Sequence, residues 1–176
     1  MGEIFLILLF STVAIACFRT FEVNADHGER PLHSVVGGSN HSESLFVCRS
    51  PSGGGDSSRP GQLSWKGCLV VTGDTSNVYP HYQVLVNVDG SARLEWADWK
   101  QFTALPPGAV NVANDVYVAR DVANSALYNF VGGLYLREQY GLIVLPPMGR
   151  RLTIGNQIAR LYSIQHWTNI FMKLCI

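Results

Sequence analysis

The sequence predicts an all-β protein, and three observations carry that prediction. Glycine and proline together number 25 (17 + 8) among 176 residues and punctuate short apolar runs. The runs are about five to seven residues long and rich in Val, Ile, Phe, Tyr and Trp, which is the length and composition of strands. No helical period runs through residues 30–145. Apolar types make up 47% and charged types 15%, so the chain can bury a sizeable core and is neither disordered nor a coiled coil. Thirteen Lys and Arg balance thirteen Asp and Glu. A net charge of zero argues against tracking phosphates on nucleic acid and against a polybasic membrane attachment.

The first segment reads as an address. An apolar run from Ile4 to Ala16 is too short to span a bilayer comfortably. Ala14-Ile15-Ala16 places small residues where a signal peptidase reads them, which predicts a signal peptide over 1–16 and a secreted, extracellular protein. Val23-Asn24-Ala25 offers an alternative cleavage after 25. Glu3 stands where a Lys or Arg is expected, so a retained short anchor is the rival reading. Gly2 makes no myristoylation site, because Leu6 holds the place of the required hydroxyl residue. Cleavage after Ala16 leaves Cys17 at the new N-terminus, with Cys48, Cys68 and Cys175 beyond it. In an oxidising compartment Cys48 and Cys68 either pair or stand as two small buried thiols on neighbouring strands. Asn40-His41-Ser42 is the single N-glycosylation acceptor and lies in a polar stretch that reads as a loop.

An internal repeat organises the rest of the chain. Val35-Val36-Gly37-Gly38 leads to Leu45-Phe46-Val47-Cys48-Arg49, then Pro60-Gly61-Gln62-Leu63, Gly67-Cys68-Leu69-Val70-Val71 and His81-Tyr82-Gln83-Val84-Leu85-Val86. A second pass opens at Leu105-Pro106-Pro107-Gly108-Ala109-Val110. It continues through Val116-Tyr117-Val118-Ala119-Arg120 and Phe130-Val131-Gly132-Gly133-Leu134-Tyr135 to Gln139-Tyr140-Gly141-Leu142-Ile143-Val144. Arg49 and Arg120 lie 71 residues apart (120 − 49), and the closing Tyr82 and Tyr140 lie 58 apart (140 − 82). These anchors predict a second repeat shorter by 13 residues (71 − 58). The expected units are 31–86 and 94–145, two antiparallel β-repeats sharing one core, since one unit alone buries too little. Within each run, alternation sets Phe46 and Cys48 on one face against Val47 and Arg49 on the other. The tail, 150–176, is unmatched. Its apolar positions Ile154, Ile158, Leu161, Ile164, Trp167, Ile170, Phe171 and Leu174 step by three and four, an amphipathic helical pattern weakened by Gly155 and β-branched residues. Helix and strand both stay open there.

The ordered motifs resemble the DM-nine repeat, found in tandem in natterin-like proteins and in small invertebrate mannose-binding lectins. In that family a proline-bearing turn leads to a Y-V-x-R strand. A P-G-K turn, a Cys-containing strand, a Gly-Gly segment and a Y-E-V-L closing strand follow. Phe46-Val47-Cys48-Arg49, Pro60-Gly61, Gly67-Cys68 and Tyr82-Gln83-Val84-Leu85 match the first unit. Leu94-Glu95-Trp96, Pro107-Gly108-Ala109-Val110 and Tyr117-Val118-Ala119-Arg120 match the second. The resemblance covers about residues 30–145. It implies a secreted β-rich recognition protein that binds mannose-type sugars in innate defence, or in a venom or saliva. The chain departs from the family where its lectins hold sugar. Gln62 replaces the lysine of P-G-K, and Ser39 or Asn40 replaces the acidic residue. In the second unit the loop contracts to Asn111–Asp115, and the family's last strand is replaced by the unmatched tail.

Candidate sugar contacts therefore fall on the second unit: Asp115 as acceptor, Asn114 beside it, Arg120 as a donor fork and Trp99 as a stacking plate. Trp96 is expected to pack inward and Trp99 to face solvent. Arg49 and Arg120 read more readily as clamps tying strand to loop than as ligand forks. His81 reads as a solvated edge residue able to pair with Asp74. No H-x-H, H-E-x-x-H, G-x-S-x-G, P-loop or C-x-x-C pattern occurs. These readings name no enzyme, no cofactor and no metal. The expected partners are glycans or glycoproteins, with no nucleic acid and with membrane contact only through the tail; a homodimer is left open. The alternative is an interaction protein with a decayed sugar site and a docking tail.

Overall fold

The structure is a computed structural model that describes residues 23–41, 43–51, 58–72, 75–90, 92–100, 102–120, 128–136, 140–143 and 159–165. The expected signal peptide over 1–16, Asp74 and Cys175 lie outside the described residues. Regular structure among the described residues is all strand, apart from one short 3-10 turn at Val88–Gly90.

A first curled antiparallel sheet takes β1 (Val23–Asp26), β2 (Val36–Asn40), β3 (Glu43–Arg49), β4 (Pro60–Ser64), β5 (Gly67–Thr72), β6 (Thr75–Tyr79) and β7 (His81–Val84). A second takes β8 (Arg93–Trp99), β9 (Asn111–Ala113), β10 (Val116–Arg120), β12 (Val131–Tyr135), β13 (Tyr140–Ile143) and β14 (Ala159–Gln165). The two-residue β11 (Tyr128–Asn129) crosses to pair with β2 of the first sheet. Neighbours run β1-β7-β3-β4-β5-β6 in one sheet and β8-β14-β10-β12-β13 in the other. β2 adds to β3, and β9 adds to β10. The two orders coincide strand for strand, with β6 the one member lacking a counterpart among the described residues.

Register shows where the second unit departs from the expected alignment. Arg49 faces Pro60 as Arg120 faces Val131, and Leu63 faces Cys68 as Leu134 faces Gly141. The 71-residue offset (120 − 49 and 134 − 63) therefore persists through the second strand pair. Tyr140–Ile143 is the counterpart of Gly67–Thr72, not of the closing strand. The closing strand is β14, which lies against β10 as β7 lies against β3. The expected 13-residue shortening is thus corrected, and within the tail residues 159–165 supply the closing strand of the second unit. Ala159–Gln165 is a strand, not a helix, because its residues complete the ladder between β8 and β10. The real contraction is in the first hairpin. Val47 N–H donates to Val35 C=O and Val118 N–H to Val110 C=O, sequence separations of 12 and 8 (47 − 35, 118 − 110).

Alternation along β3 and β10 then builds the cores. Val47 is buried among Val35 and Leu85 of the first unit and Val110, Val112, Val118 and Val131 of the second, with Leu94 and Trp96 packed on this shared cluster. On the opposite face Cys48 joins Ala25, Cys68, Val70, Tyr82 and Val84 inside the curl of the first sheet. The corresponding interior of the second holds Trp99, Ala119, Phe130 and Leu134, together with Leu45 from the first.

Cys48 and Cys68 are disulfide-bonded, which settles the pairing left open by the sequence. The bond joins β3 to β5 over the intervening β4. Two strand spacings in a flat sheet would part them by about 9.5 Å, yet their Cα atoms lie 5.9 Å apart. The sheet must curl sharply at β4, and Gly61, opposite Cys48, permits it. A Cβ there would sit 2.2 Å from the Leu69 carbonyl oxygen. The bond closes a sequence separation of 20 residues, for which loop entropy predicts about 3 kcal/mol of stabilisation. Cys48→Ala/Cys68→Ala should lower the unfolding free energy by about that amount and move the urea midpoint down accordingly. An unmoved midpoint would show that the curl is held without the bond.

Candidate functional site

The structure does not gather the sugar contacts expected from the sequence. Asn114 and Asp115 form the exposed two-residue turn between β9 and β10, with Asp115 in left-handed backbone at φ 56°. The turn accounts for Asp115 locally: its carbonyl accepts the Leu136 N–H at 2.8 Å. Arg120 stands at the far end of β10, roughly 16 Å away along five extended residues. Its guanidinium lies over the Trp96 ring, 4.4 Å from the centroid, as a cation held against an aromatic face.

The expected exposure of Trp99 is corrected. Trp99 is 2% exposed, and its indole N–H donates to the Thr103 carbonyl at 3.1 Å. It occupies the place of Ala25 in the first unit, since each precedes the same point of the β7 or β14 ladder. Alternation put Trp96 and Trp99 on opposite faces of β8, but the curled sheet buries the Trp99 face as well. Asn40, the glycosylation candidate, ends β2 opposite Glu43 and Tyr128, at a hairpin tip rather than in a loop. Gln62 is 5% exposed, and its buried Oε1 has no hydrogen-bond partner. Paired opposite Val47, it faces the packing between sheets instead of a ligand.

Arg49 acts as a clamp between the units. Its Nε donates to Gln83 Oε1 at 2.7 Å, and a terminal nitrogen donates to the Val112 carbonyl at 3.1 Å, 63 residues further along the chain. Burial pushes its pKa below the ordinary arginine value, though a guanidinium stays charged at neutral pH.

Chemistry collects instead at one end of the first sheet. Ser64 pairs with Gly67, so Trp65 and Lys66 form a two-residue hairpin turn. Trp65 is 80% exposed, and Lys66 Nζ sits 4.7 Å from its ring centroid. The neighbouring turn fixes this tip. Glu29 N–H donates to the Asp26 carbonyl across His27 (φ 47°) and Gly28 (φ 85°), both left-handed, as a type I′ turn requires. A Cβ on Gly28 would stand 2.1 Å from the Trp65 carbonyl oxygen. Only glycine fits there, so the two turns lock backbone to backbone. The His27 ring meets the His81 ring edge-on at 5.8 Å, and His81 Nδ1 pairs with Asp26 Oδ1 at 2.7 Å. The partner of His81 is thus Asp26 on the adjacent strand. Among the described residues no three His, Cys, Asp or Glu side chains gather as metal ligands.

Sequence reasoning passed over Trp65. The available signal was a large aromatic residue in a turn, between Leu63 and Gly67, where folding gains nothing from an exposed indole. No protein-family model matches this chain, and no curated protein sequence matches it.

Beneath the tip, the Tyr82 hydroxyl donates to the Glu29 carbonyl at 2.8 Å. Burial pushes the hydroxyl above its ordinary value of 10.0. A backbone contact at Gly28 works against the rise, and the Glu29 and Asp26 carboxylates add to it. The folded protein therefore holds this proton more tightly than the unfolded chain does. Its contribution to stability is full below pH 10 and is lost as pH climbs toward the folded value. Tyr82→Phe should cost about 1 kcal/mol at neutral pH and flatten the alkaline decline measured by denaturant titration. A decline of equal steepness in the variant would assign it to other groups.

Proposed function

We propose that the protein is a secreted, non-enzymatic recognition protein that binds glycans through the Trp65 tip. The observation that carries this reading is Trp65 itself. It is an exposed indole carried on a turn whose backbone is locked against Gly28, with Lys66 beside it. Sugars stack their C–H faces on such a plate while neighbouring donors and acceptors take the hydroxyls. Lys66 lies over one face of the ring and supplies an ammonium donor, leaving the other face for the ligand. The Cys48–Cys68 bond supports an oxidising compartment, in agreement with the leader expected over 1–16. The tandem β-units, and the motifs resembling the DM-nine repeat, support a recognition module of mannose-binding type.

Glycan-array screening of the purified protein tests the reading. Trp65→Ala should cut affinity for the best glycan about five- to thirtyfold, since stacking and desolvation at an aromatic plate contribute about 1–2 kcal/mol. The melting curve should stay unmoved because the indole packs on nothing beneath it. Undiminished binding by Trp65→Ala, or no glycan bound by the unmodified protein, would overturn the proposal.

A further inference from the structure

The geometry points to a ligand longer than one sugar: an unbranched oligosaccharide laid from Trp65 along the outer face of β1 and β7. This inference rests on the reading of Trp65 as a stacking plate and extends it to a second subsite. Asn24 and Asp26 share one face of β1, roughly 7 Å apart, and each is exposed. Both are fixed by cross-strand partners. Asp26 pairs with His81, and Asn24 Oδ1 accepts Gln83 Nε2 at 3.2 Å, while Gln83 is itself held by Arg49.

These bonds leave hydroxyl-binding capacity directed outward. Asn24 uses only its oxygen, so both Nδ2 hydrogens stay open. Asp26 keeps Oδ2 as an acceptor, and His81 keeps Nε2. A row of planar polar groups, pre-oriented before any ligand arrives, forfeits little side-chain entropy on binding. The row is also continuous with the plate. Asp26 touches His81, His81 touches His27, and the adjoining Gly28 lies against the Trp65 backbone. From Trp65 the path crosses a full turn and then roughly 7 Å of strand, further than one pyranose ring reaches. Monosaccharides should occupy the plate alone, and longer chains should gain hydrogen bonds on β1.

Calorimetry with the whole protein and α-linked mannose, mannobiose and mannotriose tests this. Affinity should rise about tenfold or more from mannose to mannotriose, the worth of one or two net hydrogen bonds. Asn24→Ala/Asp26→Ala should erase that gain while leaving mannose affinity within about twofold. Circular dichroism on the double variant checks that β1 still folds. Equal affinity for the three sugars, or a gain that survives in the double variant, overturns the second subsite and leaves the Trp65 plate standing. If none of the three sugars binds, this subsite falls, while the plate is judged by the glycan array.

Discussion

The valine cluster between the two sheets is the constraint on which the rest of the structure depends. Val35, Val47 and Leu85 come from one unit and Val110, Val112, Val118 and Val131 from the other, so neither sheet can hide its facing side alone. Each buried side chain of this kind contributes about 1.5–3 kcal/mol, and half of the cluster would be wet in an isolated unit. The Arg49 bond to the Val112 carbonyl and the β11–β2 pairing lie along the same boundary. They bind the halves through polar contacts where the valines bind them through burial. Leu45 does so as well, crossing into the interior of the second unit.

Fixing the units against each other leaves their ends open to solvent. At one end of the first sheet, the disulfide over β4 and the Gly28–Trp65 backbone contact hold two turns rigid. The turn so held presents the Trp65 indole to solvent. The second unit has no such bond at the equivalent place, where Ala119 and Gly141 replace Cys48 and Cys68. Its interior is filled instead by Trp99, in the position that Ala25 holds in the first. Two units of one strand order therefore stabilise their curls by different means, covalent closure in one and aromatic bulk in the other.

Much of the fold was legible because period-two alternation and Gly/Pro punctuation report strands directly. The pairing of Val118 and Arg120 with Val47 and Arg49 was legible for the same reason. The register of the later strands was not. Tyr140-Gly141-Leu142-Ile143 alternates as Tyr82-Gln83-Val84-Leu85 does, and alternation alone cannot tell one strand of a sheet from the next. The tail misled through spacing: Leu161 and Ile164 step by three, but hydrogen bonds to β8 and β10 outweigh a weak helical pattern. For the site, Asp115 and Arg120 are close in sequence yet sit at opposite ends of one strand. The tip at Trp65 adjoins His27 and Gly28, nearly forty residues earlier, a proximity that only tertiary structure reveals.

The central claim is that the two sheets form one cooperative structure through their common valine core. Amide hydrogen exchange on the whole chain, compared between the unmodified protein and Val118→Ala, tests it most directly. Removing the two methyl groups from this fully buried side chain should cost about 2 kcal/mol. If the core is shared, protection should fall by a similar factor, about thirtyfold, on β3 and β5 of the first sheet and on β10 and β12 of the second. Faster exchange confined to β10 and β12, with β3 and β5 unchanged, would show two units that fold independently and would contradict the account.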